Sequence, residues 1–394
     1  MPMKSILVLG RQPSLGLAEL ESLYGAKILE QVSDKVVLLD YDYSAINFDR
    51  LGGSIKLAKL LTTINTVKWD EIIKFINEYI PSHLKSVPEG KIKFGISAFG
   101  FDVKPNQLNK TNMQLKKIIN KEGKSIRIIP NVGPTLNSAQ IIHNMLTSPL
   151  GIELVIIKNG DSTLIGQTVN EQDIEAYARR DQARPKRDAR VGMLPPKLAQ
   201  IIINLAVGRN NIKTVLDPFC GTGVILQEAA LMNFTPYGTD VDYRMIEYSQ
   251  ENIAWLSGQV NLNDYNFQYS FETADATSFK WTYNFDTVAS EVYLGRPLSS
   301  LPNQDVLNHI VQDTNTIIKK FLINLTNQTS EGFELCLAVP AWRINNDVKH
   351  LPILDRLDEL GYTRMSFVHV LNKDLVYFRE NQIVARELVK LIRN

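Results

Sequence analysis

The chain has 394 residues, 43 Lys and Arg against 42 Asp and Glu, 44% hydrophobic residues and two cysteines. Two or three globular domains fit that length, and the composition excludes disorder, collagen-like repeats and coiled coil. Cys220 and Cys336 lie far apart without CxxC spacing, which excludes a disulfide framework and a zinc site and points to a reducing compartment.

The apolar run at the N-terminus, Ile6 to Gly10, is too short for a signal peptide, and no later run reaches the roughly 18 residues of a membrane span. A cytoplasmic protein is expected, without a membrane partner. The net charge of +1 conceals a split. Residues 1–197 hold 27 Lys and Arg against 20 Asp and Glu, whereas residues 198–394 hold 16 against 22. Such asymmetry assigns an anionic partner to the basic half.

In chain order, KSILVLG reads as a strand, LGLAELESLYG as a helix stopped by Gly25, KVVLLDYD as a strand and IKLAKLLTTI as a helix. Residues 1–62 are therefore expected to form a small ferredoxin-like α+β domain. Residues 63–170 continue in α+β style. WDEIIKFINEYI and LNKTNMQLKKIINKEG read as helices and KIKFGISAFG and SIRIIPN as strands. SAQIIHNML is a further helix, and GIELVIIKNGDSTLIGQTV a hairpin turning at Asn159-Gly160-Asp161. Residues 171–197 are rich in Pro and charge, with Arg179, Arg180, Arg184, Lys186, Arg187 and Arg190 within twelve positions, as in a linker or an extended segment. From residue 198 onward strand and helix alternate, which predicts a parallel, doubly wound sheet.

The strongest chemical signal is KTVLDPFCGTGVILQEAALM. A strand ends in Asp217, then Pro218, Cys220, Gly221, Thr222 and Gly223 form a tight turn before a helix. Ligands of doubly wound sheets bind beyond the carboxyl ends of the strands, where a glycine turn lets the backbone come close. The spacing is neither GxGxxG nor GK[ST], which argues against a dinucleotide or a P-loop. Asp240 ends a second strand and suits a ribose diol; Asp275 follows a third element and suits an adenine amine. Three carboxylates at successive strand ends form the arrangement of an S-adenosylmethionine (SAM) site. Any one of them alone reads more simply as a cap or Asx-turn.

A fourth strand ends in Ser290-Glu291-Val292-Tyr293. Enzymes that methylate base amines usually carry [DN]PP[YFW] here, with a polar acceptor for the amine and an aromatic to stack on the base. Tyr293 fits the stacking role, and either Ser290 or Glu291 the polar one. The structural alternative is that Ser290 caps the next turn and Glu291 pairs with Arg296. Strands are also expected at FELCLAVPA, YTRMSFVHVL and DLVYFR, the last two as a closing antiparallel hairpin. Trp342 and Tyr377 read as core, and Cys220 as a packing residue.

DPFCGTG, the Asp240 and Asp275 positions and the tetrapeptide ending in Tyr293 resemble class I methyltransferases that act on nucleic-acid amines. RPKRDARVGMLPPKLA and LGRQPSLGLAELESLYG extend the likeness along the chain to the archaeal and eukaryotic tRNA guanosine-10 N2-methyltransferases and their bacterial relatives. The resemblance implies a Rossmann-like class I methyltransferase domain at 198–394, preceded by a ferredoxin-like domain and an RNA-binding THUMP domain at 63–170. It implies SAM as cofactor, tRNA as substrate, and in some members a small activating protein subunit; otherwise a monomer is expected. Lys116 and Lys117, with the Arg179–Arg190 cluster, would follow phosphates. Val292 departs from the family's second proline. Adenine N6 in DNA, guanine N2 in ribosomal RNA and a non-catalytic RNA-binding protein are the alternatives.

Overall fold

The computed structural model describes residues 4–188, 193–259, 269–296, 298, 300–344, 347–380 and 382–394. They gather into two compact units. The first comprises the residues up to Pro13 with Lys27–Asp49 and Ser54–Glu175; the second comprises Ser14–Ala26, Arg50–Gly53 and Ala176–Asn394.

The elements of the N-terminal part run β1 (Ser5–Leu9), α1 (Pro13–Tyr24), β2 (Leu29–Ser33), β3 (Val36–Leu39), β4 (Ser54–Ile64), α2 (Trp69–His83), β5 (Ile92–Phe99), α3 (Pro105–Lys121), β6 (Ile126–Ile128), α4 (Ser138–His143), β7 (Gly151–Asn159) and β8 (Ser162–Glu171). The strands form one sheet in the order β2-β3-β1-β4-β8-β7-β5-β6. Ile72, Ile76 and Ile80 of α2 and Leu108, Leu115 and Ile119 of α3 recur at helical spacing and are buried with Phe94 and Ile96 of β5. The hairpin falls where it was expected, with Asn159 opposite Ser162 and Gly160 at φ +56°.

The expected helix IKLAKLLTTI is instead β4, paired antiparallel to β1 on one side and β8 on the other. Short apolar runs do not distinguish the two periods, and the buried Lys56 breaks the alternation. Its ammonium lies 2.5 Å from Glu153 and 2.9 Å from Glu171, so the charge is paired inside the sheet.

The second unit continues with α5 (Ile174–Gln182), α6 (Pro196–Val207), β9 (Thr214–Asp217), α7 (Val224–Leu231), β10 (Thr235–Asp240), α8 (Tyr243–Gln259), β11 (Ser270–Thr273), β12 (Thr287–Glu291), α9 (Gln304–Thr326), β13 (Glu334–Ile344), β14 (Asp347–Lys349), β15 (Tyr362–Arg364), β16 (Val376–Tyr377) and β17 (Val384–Arg393). The sheet order is β11-β10-β9-β12-β13-β17-β15, with β9 to β13 parallel and β17 antiparallel to its neighbours. This is the doubly wound, Rossmann-like arrangement the sequence predicts. The chain steps from β9 to β10 on one side and later to β12 on the other, which opens a crevice at the ends of β9 and β12.

Two readings change here. Residues 171–197, expected as a linker or an extended segment, contain α5, from which Tyr177 bonds Gln200 at 2.6 Å and Arg180 bonds Glu228 at 2.7 Å. The closing strand is β17, not DLVYFR, of which Val376–Tyr377 alone is strand. Arg386, Glu387 and Lys390 are buried within β17 and masked its pattern in the sequence. Arg364 lies 2.8 Å from Glu387, and Lys390 2.9 Å from Glu334, so these charges are matched across the sheet.

Candidate active site

The carboxyl ends of β9, β10 and β12 border a cleft of about 740 Å3. That volume lies within the range of small-molecule sites. The turn after β9 forms its floor. Gly221 and Gly223 sit at φ +51° and +79°, a region open to glycine and strained for other residues. A Cβ on Gly221 would meet no protein atom within 4 Å, so the backbone there faces free space. Ser249 donates to the Gly221 carbonyl at 2.8 Å, and the Asn252 amide to the Thr222 carbonyl at 2.8 Å. Helix α8 therefore holds the turn from behind.

Asp240, at the tip of β10, accepts the Gly221 N–H at 3.0 Å on one oxygen and the Asp242 N–H at 2.9 Å on the other. Each carboxylate oxygen retains a second lone pair for a ligand hydroxyl. Burial raises the Asp240 pKa, opposed by those backbone donors. Asp275 lines the cleft and accepts from the Thr277 N–H and hydroxyl, an Asx-turn that fixes its orientation. Asp217 is buried, and it accepts the Ser290 hydroxyl at 2.6 Å and the Phe219 N–H at 3.2 Å. Desolvation pushes its pKa up to about 8. The two donors oppose the shift, and the negative charges of Asp240 and Glu291 add to it.

On β12 the structure separates the two candidate acceptors. Ser290 is fully buried and its hydroxyl is given to Asp217, so it serves the sheet rather than the cleft. Successive strand residues face opposite ways, which leaves Glu291 lining the cleft. Its partner is not Arg296 but Arg386 of β17, at 2.7 Å. Tyr293 lines the same cleft and is 40% exposed, an accessible ring at the open end. Val292 is buried in the core, and Gly295, at φ +87°, lets the following chain pass close to Ile310 of α9. Arg386 had no signal in the sequence: 95 residues separate it from Glu291.

The remaining predicted residues divide. Pro218, Cys220 and Thr222 line the cleft. Cys220 is buried with its thiol pKa raised well above the ordinary value by desolvation, as fits a packing residue. Trp342 lies in the core. Arg180 and Arg184, expected on phosphates, are turned inward: Arg180 pairs with buried Glu228 and Arg184 is 3% exposed. Amphipathic spacing on α5 gave no sign of which arginines would face in. Lys186 pairs with Glu251 at 3.2 Å, while its backbone N–H and C=O both bond the Asn252 amide at 2.9 Å. Arg179 and Arg187 are exposed, and Arg190 lies outside the described residues. Lys116 is half-buried and Lys117 exposed on α3 of the first unit. Among the described residues no cluster of His, Cys, Asp or Glu is arranged to hold a metal.

Sheet order, glycine turn and strand-end carboxylates together define a class I methyltransferase domain, and the cleft fits SAM as its methyl donor. Comparison with known proteins agrees. Residues 184–331 match the family UPF0020, described as an RMKL-like methyltransferase domain. The chain is 30% identical over 162 residues to the tRNA (guanine(10)-N2)-dimethyltransferase of Methanothermobacter thermautotrophicus, covering 41% of this chain and 43% of that protein. It is 33% identical over 145 residues to the protein of the same name from Methanocaldococcus jannaschii, covering 36% and 37%. The matches thus span about two fifths of each relative's length. TrmN from Thermus thermophilus shares the fold over 100% of both chains, with a TM-score of 0.51 at 16% identity.

Proposed function

We propose that this protein transfers the methyl group of SAM to the exocyclic N2 of a guanosine in tRNA, of the position-10 type. The observation that carries this reading is that Glu291 and Tyr293 line the same cleft as the glycine turn and Asp240. When bound, SAM supplies a methyl group activated on a sulfonium. The glycine turn, Asp240 and Asp275 would hold it, by backbone approach, ribose hydroxyls and the adenine amine respectively.

Tyr293 stacks on a base displaced from its neighbours, and the Glu291 carboxylate accepts from the amine. An amine that attacks a sulfonium methyl needs little deprotonation in advance, so orientation of its lone pair does most of the work. Guanine suits a carboxylate: its N1–H and N2–H donors lie side by side, whereas adenine presents a lone pair at N1. The two archaeal relatives are named for guanine N2 in tRNA, which supports the same choice.

Residues 1–170 supply the RNA grip in this reading, as a ferredoxin-like domain (1–62) and a THUMP domain (63–170), followed by a basic linker (171–197) and the catalytic domain (198–394). Exposed Lys117, Arg179 and Arg187, with half-buried Lys116, are the cations proposed for phosphates, giving affinity that falls with salt. No described helix is long and apolar enough to cross a membrane, and the proposed site of action is the cytoplasm. Transfer of tritium from labelled SAM to bulk tRNA, ribosomal RNA and DNA tests the proposal. Label in tRNA alone is expected; label in DNA alone overturns it.

A further inference from the structure

Glu291 faces the cleft as a carboxylate at the end of a strand, a place where a free side chain samples several rotamers. Something must fix it. Arg386 is 4% exposed, and its Nε donates to Glu291 Oε1 at 2.7 Å. Its Nη1 donates to Gln382 Oε1 at 3.2 Å, so the guanidinium is itself held. In the sheet, Glu291 of β12 lies opposite Ala338 of β13, and Arg386 of β17 lies opposite Pro340 of the same strand. The guanidinium therefore reaches across the whole of β13 to find Glu291. On the other flank of β12, the preceding residue Ser290 is tied to Asp217 of β9. The last turn of the acceptor strand is thus held from both sides. The charge of Arg386, buried among strands, is matched by Glu291.

We propose that Arg386 is a positioning residue for methyl transfer: it donates to Oε1 of Glu291 and so fixes the plane of the carboxylate, which faces the target base with Oε2 aimed at the amine. This rests on the reading of Glu291 as amine acceptor. Arg386 does not line the cleft, so its effect on rate runs through Glu291. The planar fork of an arginine fixes direction as well as charge, which a lysine does not.

The test is a double-variant cycle on whichever nucleic acid the wild-type protein methylates, with SAM affinity measured on each variant by calorimetry. Arg386→Gln is expected to lower kcat by about tenfold or more, with the SAM Kd within about twofold of wild type. Glu291→Ala combined with Arg386→Gln is expected to be no slower than Glu291→Ala alone, because the arginine then has no side-chain oxygen left to orient. Losses that multiply overturn the proposal, as does a wild-type kcat for Arg386→Gln. Arg386→Lys carries the test should the Gln variant not fold: an intermediate kcat with SAM affinity retained supports it, and a wild-type kcat overturns it. Wild-type label found only in DNA would overturn the tRNA reading while the same cycle, run on DNA, still judges Arg386.

Discussion

The two ends of the cleft are built differently. At the cofactor end the carboxylates find partners close in sequence: Asp240 bonds Asp242, two residues on, and Gly221, 19 residues before it, and Asp275 bonds Thr277. At the acceptor end, Glu291 takes its orientation from a residue 95 positions away, and Ser290 answers to Asp217, 73 positions before it. Local backbone geometry defines one end; the assembled sheet defines the other.

If the ends are separable, variants at one should spare the other. Tyr293→Ala removes the stacking platform and is expected to lower methyl transfer by roughly a hundredfold, the upper range of base–aromatic stacking, with SAM affinity unchanged in a binding titration. A parallel fall in SAM affinity would break the division. Asp240→Ala is expected to weaken SAM by about ten- to hundredfold, as for loss of charge-assisted hydrogen bonds, while filter binding shows RNA affinity intact. Unchanged SAM affinity would remove Asp240 from the ribose.

Smaller effects concern the framework. Gly223→Ala forces a left-handed φ on a residue with a Cβ, placed 2.8 Å from the Ser249 hydroxyl. A loss of about 1–2 kcal/mol is expected, read as a fall in Tm of several degrees with SAM binding weakened alongside. A Tm equal to wild type would show that the turn relaxes without cost.

Asp217 gives a pH signature. Its folded pKa of about 8 lies above that of the unfolded chain, so between those values the folded state holds a proton that the unfolded state has released. Stability is therefore highest below the ordinary carboxylate pKa and declines as pH rises towards about 8. Asp217→Asn still accepts from Ser290 and is expected to flatten that decline, seen as Tm curves that converge near pH 4 and separate in favour of the variant as pH rises towards about 8. Parallel curves would show that Asp217 is ionised throughout.

The cofactor end was legible in the sequence for the reason it is local: DPFCGTG, Asp240 at the end of β10 and Asp275 just past β11 mark a candidate cradle without knowledge of which strands adjoin. The choice between Ser290 and Glu291 was not legible, because it turns on which of the two points to the side of the sheet that Asp217 occupies. Arg386 was invisible because β17 carries three buried charges and reads as a surface segment. The same cause hid β4, where Lys56 is neutralised by two glutamates inside the sheet. Buried ion pairs erase the pattern that betrays a strand. The inward arginines of residues 174–188 show the converse, a basic run whose charges are partly spent on the protein itself.

The most direct measurement is the identity of the methylated nucleoside. Bulk tRNA incubated with the protein and labelled SAM, digested to nucleosides and analysed by mass spectrometry, is expected to yield N2-methylguanosine or its dimethyl form. Methylated adenosine in its place, with guanosine untouched, would contradict the pairing of Glu291 with a guanine edge.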